Sequence, residues 1–282
     1  MTAGRLLVIG TPIGNLGDLS PRGVAGLNAA DAIACEDTRR TGVLLRHFGV
    51  GKKPLLIANE HTEQQRSIDI VERIAAGETV ALVTDAGMPA ISDPGRRVVR
   101  AAIEAGCSVE VLPGPTAVVA ALVLSGLATD RFVFEGFLPR KGKERTIRLA
   151  EVINETRTVV IYESPKRVVA TLHQLETAGL GDRQVAVARE LTKLHEEVVR
   201  GTAVEVAHHF ETAGVRGEMV LVVEGAPTET GPRSDEELLA LLRPRLEAGS
   251  STRDAVAAVV AETGEPKRRV YELGTKMGLN ES

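Results

Sequence analysis

One stretch limits what this chain can fold into. Residues 79–83, Thr-Val-Ala-Leu-Val, form a short apolar run of the kind a strand buried on both faces requires. They lead into Thr84-Asp85-Ala86-Gly87-Met88-Pro89-Ala90-Ile91-Ser92-Asp93-Pro94-Gly95, and then into residues 96–105, whose apolar positions recur at helical spacing. Strand, loop and helix in that order belong to an α/β fold, where ligands bind at the carboxyl ends of parallel strands. Two glycines let backbone approach a ligand closely, and two prolines hold the loop open and stiff. Ordinary βα connections run roughly two to six residues. This one is longer and rich in fixed geometry, which favours a ligand-binding turn over a plain connection.

Length sets the scale. The chain has 282 residues, enough for one large or two ordinary α/β domains and a small appendage. Aromatic residues make up only 2% with no Trp, which argues against a single-strand platform of many stacked rings. The net charge is −4, so any nucleic-acid contact must come from local basic patches. Cys35 and Cys107 lack CxxC spacing, which indicates neither a zinc site nor a redox pair; buried free thiols in a reducing cytoplasm are expected. No cluster has metal-ligand spacing. The first apolar run, 6–9, is too short for a signal segment, and the longest, 117–124, is too short to span a bilayer. A cytoplasmic protein without membrane contact is expected.

The apolar runs 6–9, 32–35, 55–58, 79–83 and 108–112 read as strands separated by helical patterns. After the first comes Gly10-Thr11-Pro12-Ile13-Gly14-Asn15-Leu16-Gly17, whose glycine spacing is neither a dinucleotide fingerprint nor a P-loop. Ser20 and Pro21 open a helix, and Thr62 with Gln65 is expected to form a capping box. Glu36-Asp37-Thr38-Arg39-Arg40 ends the second strand, as a site or as a solvated turn with local ion pairs. Pro113-Gly114-Pro115-Thr116 leads into an apolar helix over 117–127. The turn suits both a domain junction and a ligand at a helix N-terminus.

The second half continues the α/β pattern, with strands over 132–135, 158–162, 184–189, 196–200 and 218–223 and a helix over 203–210. Residues 138–148 carry Arg140, Lys141, Lys143, Arg145 and Arg148 against the single acid Glu144, either a solvated face or a phosphate contact. Ser164 is expected to cap a helix with Pro165 at its first position. Residues 226–232 read as a linker. Three helical patterns follow, over 234–247 (interrupted at Pro244), 253–262 and 266–277, with Gly264 in the last turn and Lys267, Arg268 and Arg269 beyond it. This is a helix-turn-helix layout or a small helical cap.

Six segments stand in order: residues 10–16, 36–39, 84–95, Leu112-Pro113-Gly114-Pro115, Glu135-Gly136-Phe137-Leu138-Pro139-Arg140-Lys141, and Tyr162-Glu163-Ser164-Pro165-Lys166-Arg167. Together they resemble the tetrapyrrole-methylase-like family of S-adenosylmethionine methyltransferases, in the branch that acts on small-subunit ribosomal RNA. The resemblance runs from about residue 6 to the C-terminal helices. It implies two α/β domains, 1–113 and 114–226, with the cofactor cleft between them. Residues 227–282 would form a linker and an all-α, helix-turn-helix-like tail, a candidate RNA contact. It implies a homodimer that binds S-adenosylmethionine and methylates the ribose 2′-hydroxyl of a cytidine in the decoding region of 16S ribosomal RNA. Such an acceptor excludes DNA.

Carried over by position, the resemblance places Pro12, Asp85, Ala86, Gly87, Ile91, Ser92, Thr116, Ala117, Tyr162, Ala188 and Met219 at the cofactor. Gly14, Asn15, Thr38, Arg39, His61, Arg140, Lys141, Lys166 and Arg167 would face the substrate. Around His61 the chain departs from the family pattern, with Asn59 and Thr62 where a second histidine and an asparagine are expected. A ribose hydroxyl is a poor nucleophile and needs a proton acceptor, for which Glu36 and Asp37 are the candidates. Two other readings compete: a methyltransferase for a small tetrapyrrole, and a non-catalytic ribosome-assembly protein.

Overall fold

The computed structural model describes residues 4–227 and 233–279. The chain divides into two compact units, Met1–Ala226 and Pro227–Ser282. The expected linker at 226–232 lies mostly outside the described residues.

The larger unit holds two five-stranded sheets. The first comprises β1 (Arg5–Ile9), β2 (Ala32–Cys35), β3 (Leu55–Ile57), β4 (Thr79–Leu82) and β5 (Ser108–Leu112). All pairs are parallel, in the order β3-β2-β4-β1-β5. Parallel strands need crossovers, supplied by α1 (Pro21–Ala29), α2 (Thr38–His47), α3 (Glu63–Ala75) and α4 (Arg96–Glu104). Successive strand residues alternate between faces. Leu7, Ile9, Ile33 and Ala81 pack with Leu27, Leu44 and Leu45 on one side; Leu6, Val8, Ala34 and Leu82 pack with Ile70, Ile74 and Val98 on the other. Double-sided burial explains the runs without polar residues.

The second sheet is mixed. It contains β6 (Phe132–Phe137), β7 (Thr158–Glu163), β8 (Gln184–Arg189), β9 (Glu197–Thr202) and β10 (Met219–Val223), in the order β6-β7-β10-β8-β9. Only β6 and β7 run parallel. One face packs on α6 (Lys143–Asn154), α7 (Val168–Thr177) and α8 (Ala203–Ala213). The other face packs on α5 (Ala117–Ser125), with Ile13 from the β1 loop in the same cluster. So α5 follows β5 of the first sheet and covers the second with Val118, Ala121 and Leu122, while Val119 and Val123 on its other side remain exposed.

The second unit is a bundle of α9 (Asp235–Glu247), α10 (Thr252–Thr263) and α11 (Lys267–Leu279) around Leu238, Leu242, Val256, Val259 and Val270. Ser234 and Glu237 form a capping box, and Ser251 caps α10.

Three local expectations fail. Pro244 does not interrupt α9, which runs on to Glu247: the helix forgoes one bond, to the Ala240 carbonyl, and Arg245 donates to the neighbouring Leu241 carbonyl at 2.6 Å. Thr62 precedes α3 but makes no side-chain cap, because its hydroxyl bonds back to the Ile57 carbonyl and accepts from the Asn59 N–H. Ser164 and Pro165 do not start α7, which begins at Val168. The Glu163 carboxylate ties both the Ser164 N–H and Arg167 Nε, fixing a turn there instead.

Candidate active site

β4, β1 and β5 are neighbours in the first sheet, so their carboxyl ends bring together the loops at 84–95, 10–17 and 113–116. The first two loops are joined by paired main-chain hydrogen bonds, Thr11 N–H to the Gly87 carbonyl at 2.9 Å and the reverse at 3.1 Å. The buried Thr11 hydroxyl donates to the Thr84 carbonyl at 3.1 Å. The first and third loops touch backbone to backbone: a Cβ on Gly114 would lie 2.7 Å from the Gly10 carbonyl oxygen. The β4 loop is held in costly geometry. Ala90 (φ 71°) and Ser92 (φ 58°) sit in the left-handed region that residues with a Cβ avoid. Gly95 offers no side chain to cap α4, so Glu63, buried in α3, supplies a carboxylate oxygen to the Gly95 and Arg97 N–H groups at 2.9 and 2.7 Å.

These loops border a cavity of about 350 Å³. On this side it is lined by Ile13, Ala86, Gly87, Met88, Ile91, Ser92, Asp93, Thr116 and Ala117. The second sheet supplies Phe137, Tyr162 to Pro165, Leu191 and Gly217 to Val220. The 190–193 turn is also strained, at Glu190 (φ 51°) and Thr192 (φ 65°), and it is pinned to the β1 loop where the Asn15 N–H donates to Thr192 Oγ1 at 3.1 Å.

Three carboxylates gather beside the cavity. The Thr84 hydroxyl is shared between Glu36, at 3.5 Å, and Asp93. Burial first, then the Asp85 charge, pushes the Glu36 carboxyl above its ordinary value. Burial raises Asp93 and Asp85 likewise, and Arg40 at 3.5 Å offsets this for Asp85. Asp85 Oδ1 is buried without a hydrogen-bond partner among the described residues. Asp37 is the opposite case. It caps α2, accepts from the Arg39 N–H at 2.8 Å and binds the Arg39 guanidinium at 2.7 Å, so its carboxyl is pulled down to about 2.

Residues 5–207 match the family described as Tetrapyrrole (Corrin/Porphyrin) Methylases. The chain belongs to the tetrapyrrole methylase family. It is 44% identical over 275 residues to Ribosomal RNA small subunit methyltransferase I of Synechocystis sp., covering 97% of this chain and 98% of that one. Among solved structures, the methyltransferase CobJ superposes with a TM-score of 0.60 at 21% identity, covering 81% of this chain and 97% of that one. The uroporphyrin-III C-methyl transferase from Thermus thermophilus, complexed with S-adenyl homocysteine, superposes with a TM-score of 0.54 at 19% identity, covering 78% and 97%. These two likenesses concern the fold alone.

A tetrapyrrole methylase uses S-adenosylmethionine, and that is the cofactor of this chain. The cavity suits the molecule. Its volume lies within the range of small-molecule sites. Ile13, Met88, Ile91, Leu191 and Met219 give apolar walls, while the Asp93 and Glu218 carboxylates complement a cationic sulfonium and ammonium. Thr116 and Ala117 open α5, a helix N-terminus of the kind that binds a carboxylate.

Of the residues the family pattern suggests for the cofactor, Ala86, Gly87, Ile91, Ser92, Thr116, Ala117, Tyr162 and Met219 line the cavity, whereas Pro12, Asp85 and Ala188 do not. Ala188 is buried in the core under α5. The lining adds Asp93, Phe137, Glu163 and Glu218, which lie at the carboxyl ends of strands or just outside them. Glu36 and Asp37 do not line it, but Glu36 reaches it through Thr84 and Asp93.

The suggested substrate residues divide. Asn15, Arg39, His61, Arg140, Lys141 and Lys166 are exposed, and Thr38 is half-buried at the start of α2. Gly14 is exposed too, yet a Cβ there would sit 2.5 Å from Lys193 Cγ, so the close packing of two loops requires its glycine. Arg167 is turned inward: its Nε meets Glu163 at 2.7 Å and its Nη2 meets the Leu138 carbonyl at 3.0 Å. The basic run 138–148 is likewise not one patch. Arg145 is buried, donating to Pro139, Thr171 and Gln174, and Arg148 pairs with Glu135 and Glu151. In the C-terminal bundle Arg268 pairs with Glu272, and Arg269 holds Asp235 and Glu265. No described helix is long and apolar enough to cross a membrane.

Proposed function

We propose that this chain methylates the 2′-hydroxyl of a cytidine in the decoding region of 16S ribosomal RNA, within the small subunit. The supporting observation is a set of exposed cations that follow the lining residues Phe137 and Pro165 in the chain. Arg140, Lys141, Lys143 and Lys166 are exposed, and none forms an ion pair among the described residues, in a protein of net charge −4. A small tetrapyrrole needs no such patch beyond the cavity; a phosphate backbone does. The name of the near-full-length relative from Synechocystis agrees.

S-adenosylmethionine supplies an electrophilic methyl group on a sulfonium. The protein's part is to hold the acceptor oxygen in line with it, at roughly 3–3.5 Å, and to receive the hydroxyl proton. Glu36 is the group for that proton. Its raised carboxyl makes it a better acceptor than Asp37, which Arg39 neutralises. Thr84 orients the Glu36 carboxylate, and Asp37 fixes Arg39 toward a phosphate. In this reading residues 1–113 present the acceptor and 114–226 complete the cofactor cleft. The C-terminal unit adds RNA affinity through exposed residues such as Lys267. The enzyme works in the cytoplasm as a homodimer, for which the exposed Val119 and Val123 of α5 provide apolar surface.

The test is transfer of labelled methyl from S-adenosylmethionine to small ribosomal subunits from a strain lacking the gene, followed by nuclease mapping. Label on a ribose of the decoding region is expected. Cofactor binding without transfer to subunits points to a small-molecule acceptor and overturns the reading.

A further inference from the structure

The chain holds five Phe, two Tyr and no Trp. Three of these few rings meet at one wall of the cavity. Tyr162 packs edge-on to Phe134, with centroids 5.0 Å apart, and Phe137 tilts against it at 5.4 Å. Phe134 and Phe137 are three residues apart on one strand, so strict alternation would point them to opposite faces. A bulge prevents this. The pairing of β6 with β7 slips one residue between Phe134 and Gly136, and Gly136 takes φ 64°. The extra residue turns Phe137 to the Tyr162 side, where it lines the cavity while remaining 59% exposed. A ring left this open in an aromatic-poor protein has an unused π-face.

The cavity lining beside it is acidic at Asp93, Glu163 and Glu218, while the chain that follows it is basic. The chain continues from Phe137 to Arg140 and Lys141, and Lys166 follows the cavity residues Ser164 and Pro165. The two segments are joined where Arg167 Nη2 donates to the Leu138 carbonyl at 3.0 Å. Exposed cations with no ion-pair partner among the described residues therefore lie next in the chain to cavity-lining residues, Phe137 among them. Unpaired bases are recognised by a ring for the base and cations for its phosphates.

We propose that Phe137, aimed by the Gly136 bulge, stacks on an unpaired base of the RNA acceptor and so positions its ribose at the cavity. This rests on the RNA-methylating function proposed above and names the residue that selects an unstacked nucleotide. Phe137→Leu keeps the apolar volume and loses the π-face; Phe137→Tyr keeps the π-face. The experiment measures KM and kcat for unmethylated small subunits, and the dissociation constant of S-adenosylmethionine by calorimetry, for wild type and both variants. Loss of one base–aromatic stack changes affinity by roughly 5- to 150-fold, so Phe137→Leu should raise KM for subunits within that range. Cofactor affinity should hold within about twofold, and Phe137→Tyr should restore KM. An unchanged KM in Phe137→Leu, or a loss of cofactor affinity in its place, overturns the stacking role while leaving the function standing. A wild-type enzyme that labels no subunit overturns both.

Discussion

Replacing Glu163 by alanine tests the least exposed charge in the site. Its side chain is fully buried at the end of β7. One oxygen accepts from the Ser164 N–H at 2.8 Å and from Arg167 Nε at 2.7 Å; the other accepts from the Thr171 hydroxyl at 2.7 Å. Thr171 in turn receives Arg145 Nη2 at 2.8 Å. Glu163→Ala leaves Arg167 without its carboxylate and the Thr171 hydroxyl, which holds the 6% exposed Arg145, without its acceptor. Removing one partner of a buried ion pair costs about 3–5 kcal/mol, because the other charge stays desolvated. A unit of this size loses roughly 2–4 °C of Tm per kcal/mol, so a fall of about 6–20 °C is expected. Glu163→Gln keeps the shape and one acceptor, and should cost less. Scanning calorimetry reads the change and separates the transition of the C-terminal bundle. A fall below about 3 °C for Glu163→Ala would refute the reasoning and mean that water satisfies both arginines.

The other predictions concern the carboxylates, the cations and the loops. Glu36→Gln should slow methyl transfer by roughly 10²–10⁴-fold, the usual worth of a general base. Wild-type activity should fall as pH drops through the raised Glu36 pKa, a limb that Asp37→Asn should leave in place because Asp37 titrates at about 2. For Asp93, whose pKa burial raises, folding favours the protonated form. The ionised carboxylate therefore opposes folding once pH passes the ordinary 3.8, so Asp93→Asn should stabilise near pH 7 and change little near pH 3 in urea unfolding. Lys166→Ala and Arg140→Ala should each flatten the salt dependence of subunit binding by roughly 0.7–0.9 in log–log slope, as loss of one phosphate contact does. Unchanged slopes would remove those residues from the interface. Gly114→Ala should cost about 1–3 kcal/mol and weaken cofactor binding, since its methyl would collide with the Gly10 backbone at 2.7 Å.

Much of this could be read from the chain itself. The strands over 32–35, 108–112 and 184–189 fall where the apolar runs put them, because parallel or central strands leave little room for polar residues. Six of the eight residues expected at the cofactor from the first half, Ala86 to Ala117, follow strand ends and do line the cavity; Pro12 and Asp85 do not. Charge was harder to read. Arg145 and Arg167 look identical in sequence to Arg140, but Glu163 and Thr171, distant or unremarkable in sequence, draw them inward. Residue type cannot separate a buried guanidinium from a free one; only its partner can. The Phe134–Phe137 pair was hidden for a related reason, since a bulge breaks the period of two on which strand reading rests.

The paired hydrogen bonds between Thr11 and Gly87 make two loops one mechanical part. Neither can swing from the cavity alone without breaking both bonds, at about 1–3 kcal/mol together. The backbone contact of Gly10 with Gly114 adds the third loop to the same block. A ligand therefore meets a rigid jaw on the side of the first sheet. The 190–193 turn is tied to the same block through Asn15 and Thr192, so the stiffness reaches across the cavity to the second sheet.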